Sequence, residues 1–507
     1  MKRILKRAAA AVIACAVLLT PAVAYAELSA QTALPAEESQ QQEAPAPINP
    51  DAEAGIEGLS YEEALQKSYD TQPETNSIAG WSKGPQVYGC AAIVMDMDSG
   101  AVLYGKKVDD KHYPASITKL MTALVALENA DMDDEVEFSP ASIDILRWDY
   151  ASIGMKPGEI LSLNDAMYGM LLASGNEVAY AIAESVGNKM GIGYDGFIQK
   201  MNDRAVELGC TGSNWVNANG LHDDLHYTTA HDMALIASEL YKHEEFRTVT
   251  QTLNYTIGAT NLTDETRAVQ QNHKMLWPNH SRYYEYCTGG KTGYTDNSRT
   301  TLVTMAENGT LRLAAVVLRD NGNVYDDTRA MFDYVFENFS KVMLKEQAKP
   351  KEVRSYTEDG AYVLLPEGID FSSLEHQISI TDEREASGTI TFYYEGQNVG
   401  SADVTLTPEY IEETTGYTNR MDPSGETERA QGGQEESGFR LPGWLTAVLI
   451  VAAVVLILFA LVIIRLQIIR AKRRKRAQMK RRRMRQRQQV QRRPQEQRLR
   501  TQRNRKR

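Results

Sequence analysis

Cysteine is scarce in this chain: 507 residues hold four, at positions 15, 90, 210 and 287. Cys15 falls in an N-terminal leader, and the remaining three are odd in number and widely spaced. That pattern excludes a disulfide framework and a zinc-binding cluster, and leaves Cys90, Cys210 and Cys287 as small buried hydrophobes. Acidic residues are nearly missing from the last stretch, where Arg465 to Arg507 holds 21 Lys or Arg against one acid, Glu496. Charge of either sign is missing altogether from Trp444 to Ile464. An H-E-x-x-H metalloprotease motif is also lacking.

What is present is ordinary for a folded protein. Hydrophobic residues make up 42% and charged residues 24%, enough for two or three domains with a large core. The net charge of −12 conceals a segregation, since the residues ahead of the basic tail hold 34 basic and 66 acidic side chains. Oppositely charged parts of this kind belong in different surroundings.

The two ends indicate which. Residues 1–26 open with Lys2, Arg3, Lys6 and Arg7, continue with an apolar run, and finish in Ala24-Tyr25-Ala26. This is the pattern of a cleavable secretory signal, with the cut expected before Glu27; a lipid-modified Cys15 is the lesser alternative. WLTAVLIVAAVVLILFALVII, within residues 441–464, is long enough to cross a bilayer as a helix of about 31 Å. The arginine block that follows places residues 465–507 in the cytoplasm and the bulk of the chain outside the cell membrane. The tail reads as a stop-transfer signal contacting anionic lipid, and nothing in it supports specific nucleic-acid recognition.

Between the ends the texture changes several times. Residues 27–84, rich in Gln, Glu, Ala and Pro, read as a disordered linker with one short helix near Tyr61–Ser68. AAIVMD and AVLYG flank Asp98-Ser99-Gly100 as a hairpin. Helices are expected at Leu163–Ser174, Glu177–Val186, Gly196–Leu208 with Asp195 as N-cap, and Ala230–Tyr241 capped by Thr229. Strands follow from Tyr286 to Val317, then a helix at Asp326–Phe339. The order is α+β. Residues 350–408 alternate in polarity and suggest a small separate β-rich domain, with a polar linker over 409–440.

The chemistry begins in KHYPASITKLMTALVALENA, where Ser116 and Lys119 lie three positions apart. Ile117, Leu120, Met121, Leu124 and Leu127 recur at helical spacing, so an amphipathic helix is expected, with Pro114 at its start. Ser116 then occupies the first turn, where free N–H groups and the helix dipole favour developing negative charge. Lys119, at i+3, lies on the same face. A serine hydroxyl needs a base to become a nucleophile, and lysine can be that base only where burial or nearby cations lower its pKa. Alone, S-x-x-K is as readily a helix rim. Two further elements accompany it: Ser174-Gly175-Asn176 in LLASGNEVAYAIAE and Lys291-Thr292-Gly293 in YCTGGKTGYTDNSRTTLV. Each could be a cap or a turn, but S-x-x-K, S-D-N and K-T-G in this order are the shared signature of penicillin-binding proteins and class A β-lactamases.

Together with YPASITKLMTAL and NWVNANGLHDDLHYTTAHDMALIA, these motifs make residues 85–345 resemble the low-molecular-mass serine D-Ala-D-Ala carboxypeptidases, the penicillin-binding proteins of the peptidase S11 type. The resemblance implies a transpeptidase fold like that of β-lactamases, an antiparallel sheet flanked by helices. Residues 350–408 would then stand where the family has its second domain. It implies no cofactor and no metal, the D-Ala-D-Ala end of a peptidoglycan stem peptide as substrate, and β-lactams as covalent inhibitors. Ser116 would be the nucleophile, Lys119 its base, and Ser174 a proton relay to the leaving D-alanine. Asn176 would hold the substrate peptide group, Lys291 would supply positive charge, and Thr292 would bind the terminal carboxylate beside Gly293. The N–H groups of Ser116 and Tyr294 would form the oxyanion hole. Glu177, where the family often has Asp, is expected outside the chemistry, and Arg319 and Arg329 are candidates for gripping the carboxylate.

Other readings compete. A class A β-lactamase deacylates with a glutamate, and no E-x-x-L-N lies between Asn176 and Lys291. A transpeptidase or endopeptidase shares the acyl-enzyme and differs in the bond cleaved or the acceptor. His222, His226 and His231 could suggest a metal, but they read better as loop and cap histidines, with His226 at the site's rim. A non-catalytic surface scaffold would leave the Ser–Lys–Ser–Lys set unexplained.

Overall fold

The computed structural model describes residues 45–417. The expected signal, membrane span, basic tail and most of the second linker lie outside them. Among the described residues no helix is long and apolar enough to cross a membrane.

At the centre is a five-stranded antiparallel sheet made of β1 (Ala91–Asp96), β2 (Val102–Lys106), β3 (Cys287–Thr295), β4 (Arg299–Glu307) and β5 (Arg312–Asp320). The strand order is β2-β1-β5-β4-β3, which leaves β3 at an edge. Both faces are covered, so the inner strands β1 and β5 read as nearly continuous apolar runs. In β1, Ala91, Ile93 and Met95 face one core cluster while Ala92 and Val94 face the other. β5 divides in the same way, with Ala314, Val316 and Leu318 against Leu313, Ala315 and Val317.

One face carries the helices that hold the chemistry. They are α2 (Thr118–Asn129), α3 (Leu163–Leu171), α4 (Asn176–Lys189), α5 (Gly193–Glu207), α6 (Ala230–Leu240) and α7 (Glu244–Gln251), following α1 (Tyr61–Asp70) in the chain. α2 departs from its amphipathic expectation, since nine of its twelve residues are buried, polar Thr118, Lys119 and Thr122 among them. It is a central helix packed on several sides, and apolar spacing alone does not distinguish that from a half-buried one. α5 starts earlier than expected, with Ile192 as N-cap, so Asp195 lies in its first turn instead of capping it. α6 begins as read: Thr229 Oγ1 accepts the Asp232 N–H at 3.0 Å.

The opposite face carries α8 (Val324–Asn338) and the C-terminal strands. Of these, β6 (Phe339–Met343) pairs with β8 (Tyr362–Pro366). β7 (Val353–Tyr356), β9 (Glu375–Asp382), β10 (Ser387–Tyr394) and β11 (Gln397–Leu406) form a four-stranded sheet. This sheet packs against the central one and shares its core. Val399, Val404 and Leu406 share a core with Ala92, Leu103 and Val317, and the Ser401 N–H donates to Ser99 O at 2.7 Å. The chain does not turn into linker at once, since Pro408–Thr415 is helical.

The clearest correction concerns residues 45–84, expected to be linker. They are folded against the sheet. Ser60 and Glu63 form a capping box that starts α1. The buried Lys106 ammonium donates to Ser68 O, Val87 O and Gly89 O at 2.6, 2.9 and 2.8 Å. Farther back, Asp51 pairs with Arg319 and Ile48 O accepts from the Tyr113 hydroxyl at 3.1 Å. A polar composition hides these anchors because their partners are distant in sequence.

Candidate active site

Ser116 sits in a single 3-10 turn, Ala115–Ile117, that leads into α2. Ala115 just before it has φ +52, a left-handed conformation costly for a residue with a Cβ. Neighbours hold it there. Thr118 Oγ1 donates to Ala115 O at 2.8 Å, and Gly220 approaches so closely that an added Cβ would lie 1.8 Å from that oxygen. On the sheet side, Thr301 Oγ1 donates to Pro114 O at 2.8 Å. A Cβ on Gly293 would lie 2.9 Å from the Ser116 nitrogen. Glycine in K-T-G is therefore a packing requirement, letting β3 press against the Ser116 backbone.

Lys119 is fully buried, and its Nζ meets three oxygens: Ser116 Oγ at 2.9 Å, Asn176 Oδ1 at 2.8 Å and Asn219 O at 2.6 Å. Burial, followed by the positive charge of Lys291, pushes its pKa well below the ordinary lysine range, and Glu177 opposes the shift. As a neutral amine, Lys119 can give its two hydrogens to Asn176 and Asn219. Its lone pair then points at the third neighbour, the Ser116 hydroxyl. Lys291 is also buried, donates to Thr292 O at 2.8 Å, and is lowered by burial to about 7.

Ser174 follows α3 at φ +64, and Asn176 opens α4. The Gly175 N–H donates to Gly169 O at 3.1 Å and the Asn176 N–H to Ala151 O at 2.9 Å, fixing the turn. A side chain on Gly175 would strike Val178 at 2.6 Å, which explains glycine in the middle of S-G-N. The turn brings Asn176 into contact with Lys119, whereas Ser174, nearly buried beside it, bonds to neither Ser116 nor Lys119. Thr292 and Tyr294 flank Gly293 on the edge strand, Tyr294 being 62% exposed.

Several residues stand elsewhere than expected. His226 is buried, not at the rim. Its Nδ1 accepts the Val216 N–H at 3.1 Å, so its Nε2 carries the proton and donates to Thr118 Oγ1 at 2.8 Å. That completes a chain from His226 through Thr118 to the Ala115 carbonyl, next to Ser116. His222 bonds to Asn297 at 2.7 Å and His231 faces Asp109 at 3.6 Å, so the three histidines serve separate partners. Arg329 is occupied by the Tyr283 carbonyl and the Tyr284 ring, and Arg319 by Asp51 and by Asn297 O. Glu177 is buried behind the site, where Oε1 accepts from Ser152 Oγ and the Ile153 N–H at 2.6 and 2.8 Å. Sequence spacing does not single out Asn219 and Gly220: N-A-N-G signals a turn, but its partners Lys119 and Ala115 lie about a hundred residues away.

The comparisons with known proteins bear on this geometry. The family described as D-alanyl-D-alanine carboxypeptidase, peptidase S11, matches residues 79–322. The D-alanyl-D-alanine carboxypeptidase DacB2 of Mycobacterium tuberculosis is 31% identical over 251 residues, which is 48% of this chain and 81% of that protein. This chain belongs to the peptidase S11 family. DacF of Bacillus subtilis, also a D-alanyl-D-alanine carboxypeptidase, is 27% identical over 340 residues, 62% of this chain and 84% of its own length. Among solved structures, the Streptomyces K15 DD-transpeptidase aligns at a TM-score of 0.46 and 27% identity, covering 50% of this chain and all of that one. All three S11 motifs, S-x-x-K, S-G-N and K-T-G, fall inside the matched region.

Proposed function

We propose that this enzyme is a serine D-alanyl-D-alanine carboxypeptidase that removes the terminal D-alanine from peptidoglycan stem peptides. The observation that carries the mechanism is the environment of Lys119, a buried amine with two fixed acceptors and the Ser116 hydroxyl as its third neighbour. Lys119 takes the Ser116 proton as Oγ attacks the carbonyl carbon of the penultimate D-alanine. The resulting oxyanion meets the N–H groups at Ser116 and Tyr294, which the close approach of Gly293 holds together. The C–N bond breaks, and the departing D-alanine amine takes the proton that Lys119 holds, with Ser174 placed to pass it on only once bound substrate bridges the two. Water, activated by the same lysine, then hydrolyses the ester and restores Ser116.

The substrate backbone adds along β3, whose outer edge has no strand partner among the described residues. Asn176 holds its peptide group, and Thr292 with the charge of Lys291 receives the terminal carboxylate. β-Lactams present a strained amide in the same place and acylate Ser116. The leader, the apolar segment 441–464 and the basic tail support an enzyme anchored in the cell membrane with its catalytic part outside. Purified protein incubated with a stem pentapeptide should release one equivalent of D-alanine per peptide, and Ser116→Ala should release none. Release that survives Ser116→Ala would refute the proposal.

A further inference from the structure

Trp148 is 98% exposed, the most exposed large apolar side chain among the described residues. An isolated surface hydrophobe needs no explanation, but this one stands on a loop that is anchored to the turn carrying Asn176. Leu146 N–H donates to Ile143 O at 3.0 Å and Tyr150 N–H to Arg147 O at 3.1 Å. The Ala151 carbonyl accepts from Asn176 N–H at 2.9 Å, and Ser152 and Ile153 both bond to Glu177. Asn176 itself touches Lys119. The loop that carries the indole is therefore tied to Asn176, and the indole itself projects from it into solvent. Polar groups flank it: Arg147, whose guanidinium lies 5.7 Å from the Tyr150 ring, and the exposed carboxylate of Asp149.

We propose that Trp148 is a saccharide-binding residue that stacks on an amino-sugar ring of the glycan to which the stem peptide is attached. The proposal rests on the carboxypeptidase reading of the site. A pyranose has an apolar C–H face that an indole covers and hydroxyl and acetamido groups at its edge, which Arg147 and Asp149 can reach. A full projection into solvent suits the part of the substrate that stays outside the cleft, not the peptide lying along β3. Trp148 is three residues from Ala151, a reach of at most about 10 Å, and the four stem residues between the scissile bond and the sugar span at most about 14 Å, so the two spans are of the same order.

The test compares two substrates, a disaccharide pentapeptide and the same pentapeptide without sugar. The readout is the ratio of their kcat/KM values. In Trp148→Ala this preference for the glycosylated substrate should fall about tenfold, and in Trp148→Phe most of it should remain. An unchanged ratio would overturn the proposal, including the case where both substrates lose activity equally because the loop is disturbed or the indole meets the peptide. A wild-type enzyme that releases D-alanine from neither substrate would instead sink the carboxypeptidase reading. A second measurement is independent of turnover. Titrating the wild-type protein with peptide-free glycan oligosaccharide should shift tryptophan emission to the blue, and the shift should vanish in Trp148→Phe. No shift, or one that persists in Trp148→Phe, would also overturn it.

Discussion

Gly220 offers a sharp test of how the nucleophile is held. It has φ +81, and an added Cβ would fall 1.8 Å from Ala115 O, 2.4 Å from Ala115 C and 2.9 Å from Thr118 Oγ1. Real Cβ contacts essentially never fall below 3.0 Å, so Gly220→Ala must move this backbone by more than 1 Å. The left-handed conformation costs an alanine roughly 1–2 kcal/mol, and overpacking adds about 1–3 kcal/mol. A catalytic group displaced by about 1 Å loses on the order of a hundredfold in rate. Gly209 provides a matched control, because it has the same φ of +81 with nothing within 4 Å of an added Cβ. Both variants should lose stability in thermal melts, Gly220→Ala more. Stopped-flow acylation by a fluorescent penicillin, measured well below both melting temperatures, should slow about a hundredfold in Gly220→Ala and stay near wild type in Gly209→Ala. Equal acylation rates in the two folded variants would refute the claim that residues 217–220 fix the position of Ser116.

Three further outcomes follow from the same geometry. The positive charge of Lys291 helps to hold the Lys119 pKa down, so Lys291→Ala should raise it. With the neutral amine as the proposed base, activity rises as pH climbs through that pKa. The rising limb of the kcat/KM profile should therefore move to higher pH in Lys291→Ala, beyond any loss of affinity, and a limb that stays in place or moves down would contradict the coupling. His226, held neutral by burial with a pKa near 3, supports Ala115 through Thr118, so His226→Ala should lower the acylation rate about tenfold by an equal factor at every pH above 5. His226→Gln, whose amide can donate to Thr118, should recover part of it; a loss that varies across that pH range would instead implicate His226 in proton transfer. Asp51→Asn removes the charged partner of Arg319, and because Asp51 is 46% exposed the melting temperature should drop by only a few degrees. An unchanged melt would show that residues 45–58 are held by their other contacts.

Much of the site was legible because its chemistry is concentrated in three short motifs. Spacing points to Ser116 and Lys119, and the resemblance to peptidase S11 implies Asn176, Lys291 and Gly293; in the structure Ser116 and Asn176 bond to the Lys119 amine, and Gly293 lies against the Ser116 backbone. What could not be read was whatever depends on distant partners. Asn219 O reaches Lys119 across 100 positions, and Arg319 meets Asp51 across 268. Local polarity therefore describes residues 45–84 as solvated, when their anchors are Lys106, Tyr113 and, far along the chain, Arg319. Similarly, the spacing in α2 identified a helix with an apolar face but not how many layers would cover it. His226 looked like a rim residue because histidine in a loop is usually exposed; Trp215, whose ring packs edge-on at 5.4 Å, and the Val216 N–H bury it. The glycines of S-G-N and K-T-G were recognised as motif letters, and the structure supplies their physical reason in the atoms a Cβ would strike.

The central claim is that Ser116 is the acylated nucleophile and that Lys119 activates it. It is tested most directly by reacting the purified protein with a β-lactam, digesting it, and locating the adduct by mass spectrometry. One equivalent of adduct on the peptide that contains Ser116 is predicted, with none in Ser116→Ala and a strongly slowed reaction in Lys119→Met. An adduct on another residue, or equal labelling of Ser116→Ala, would contradict it.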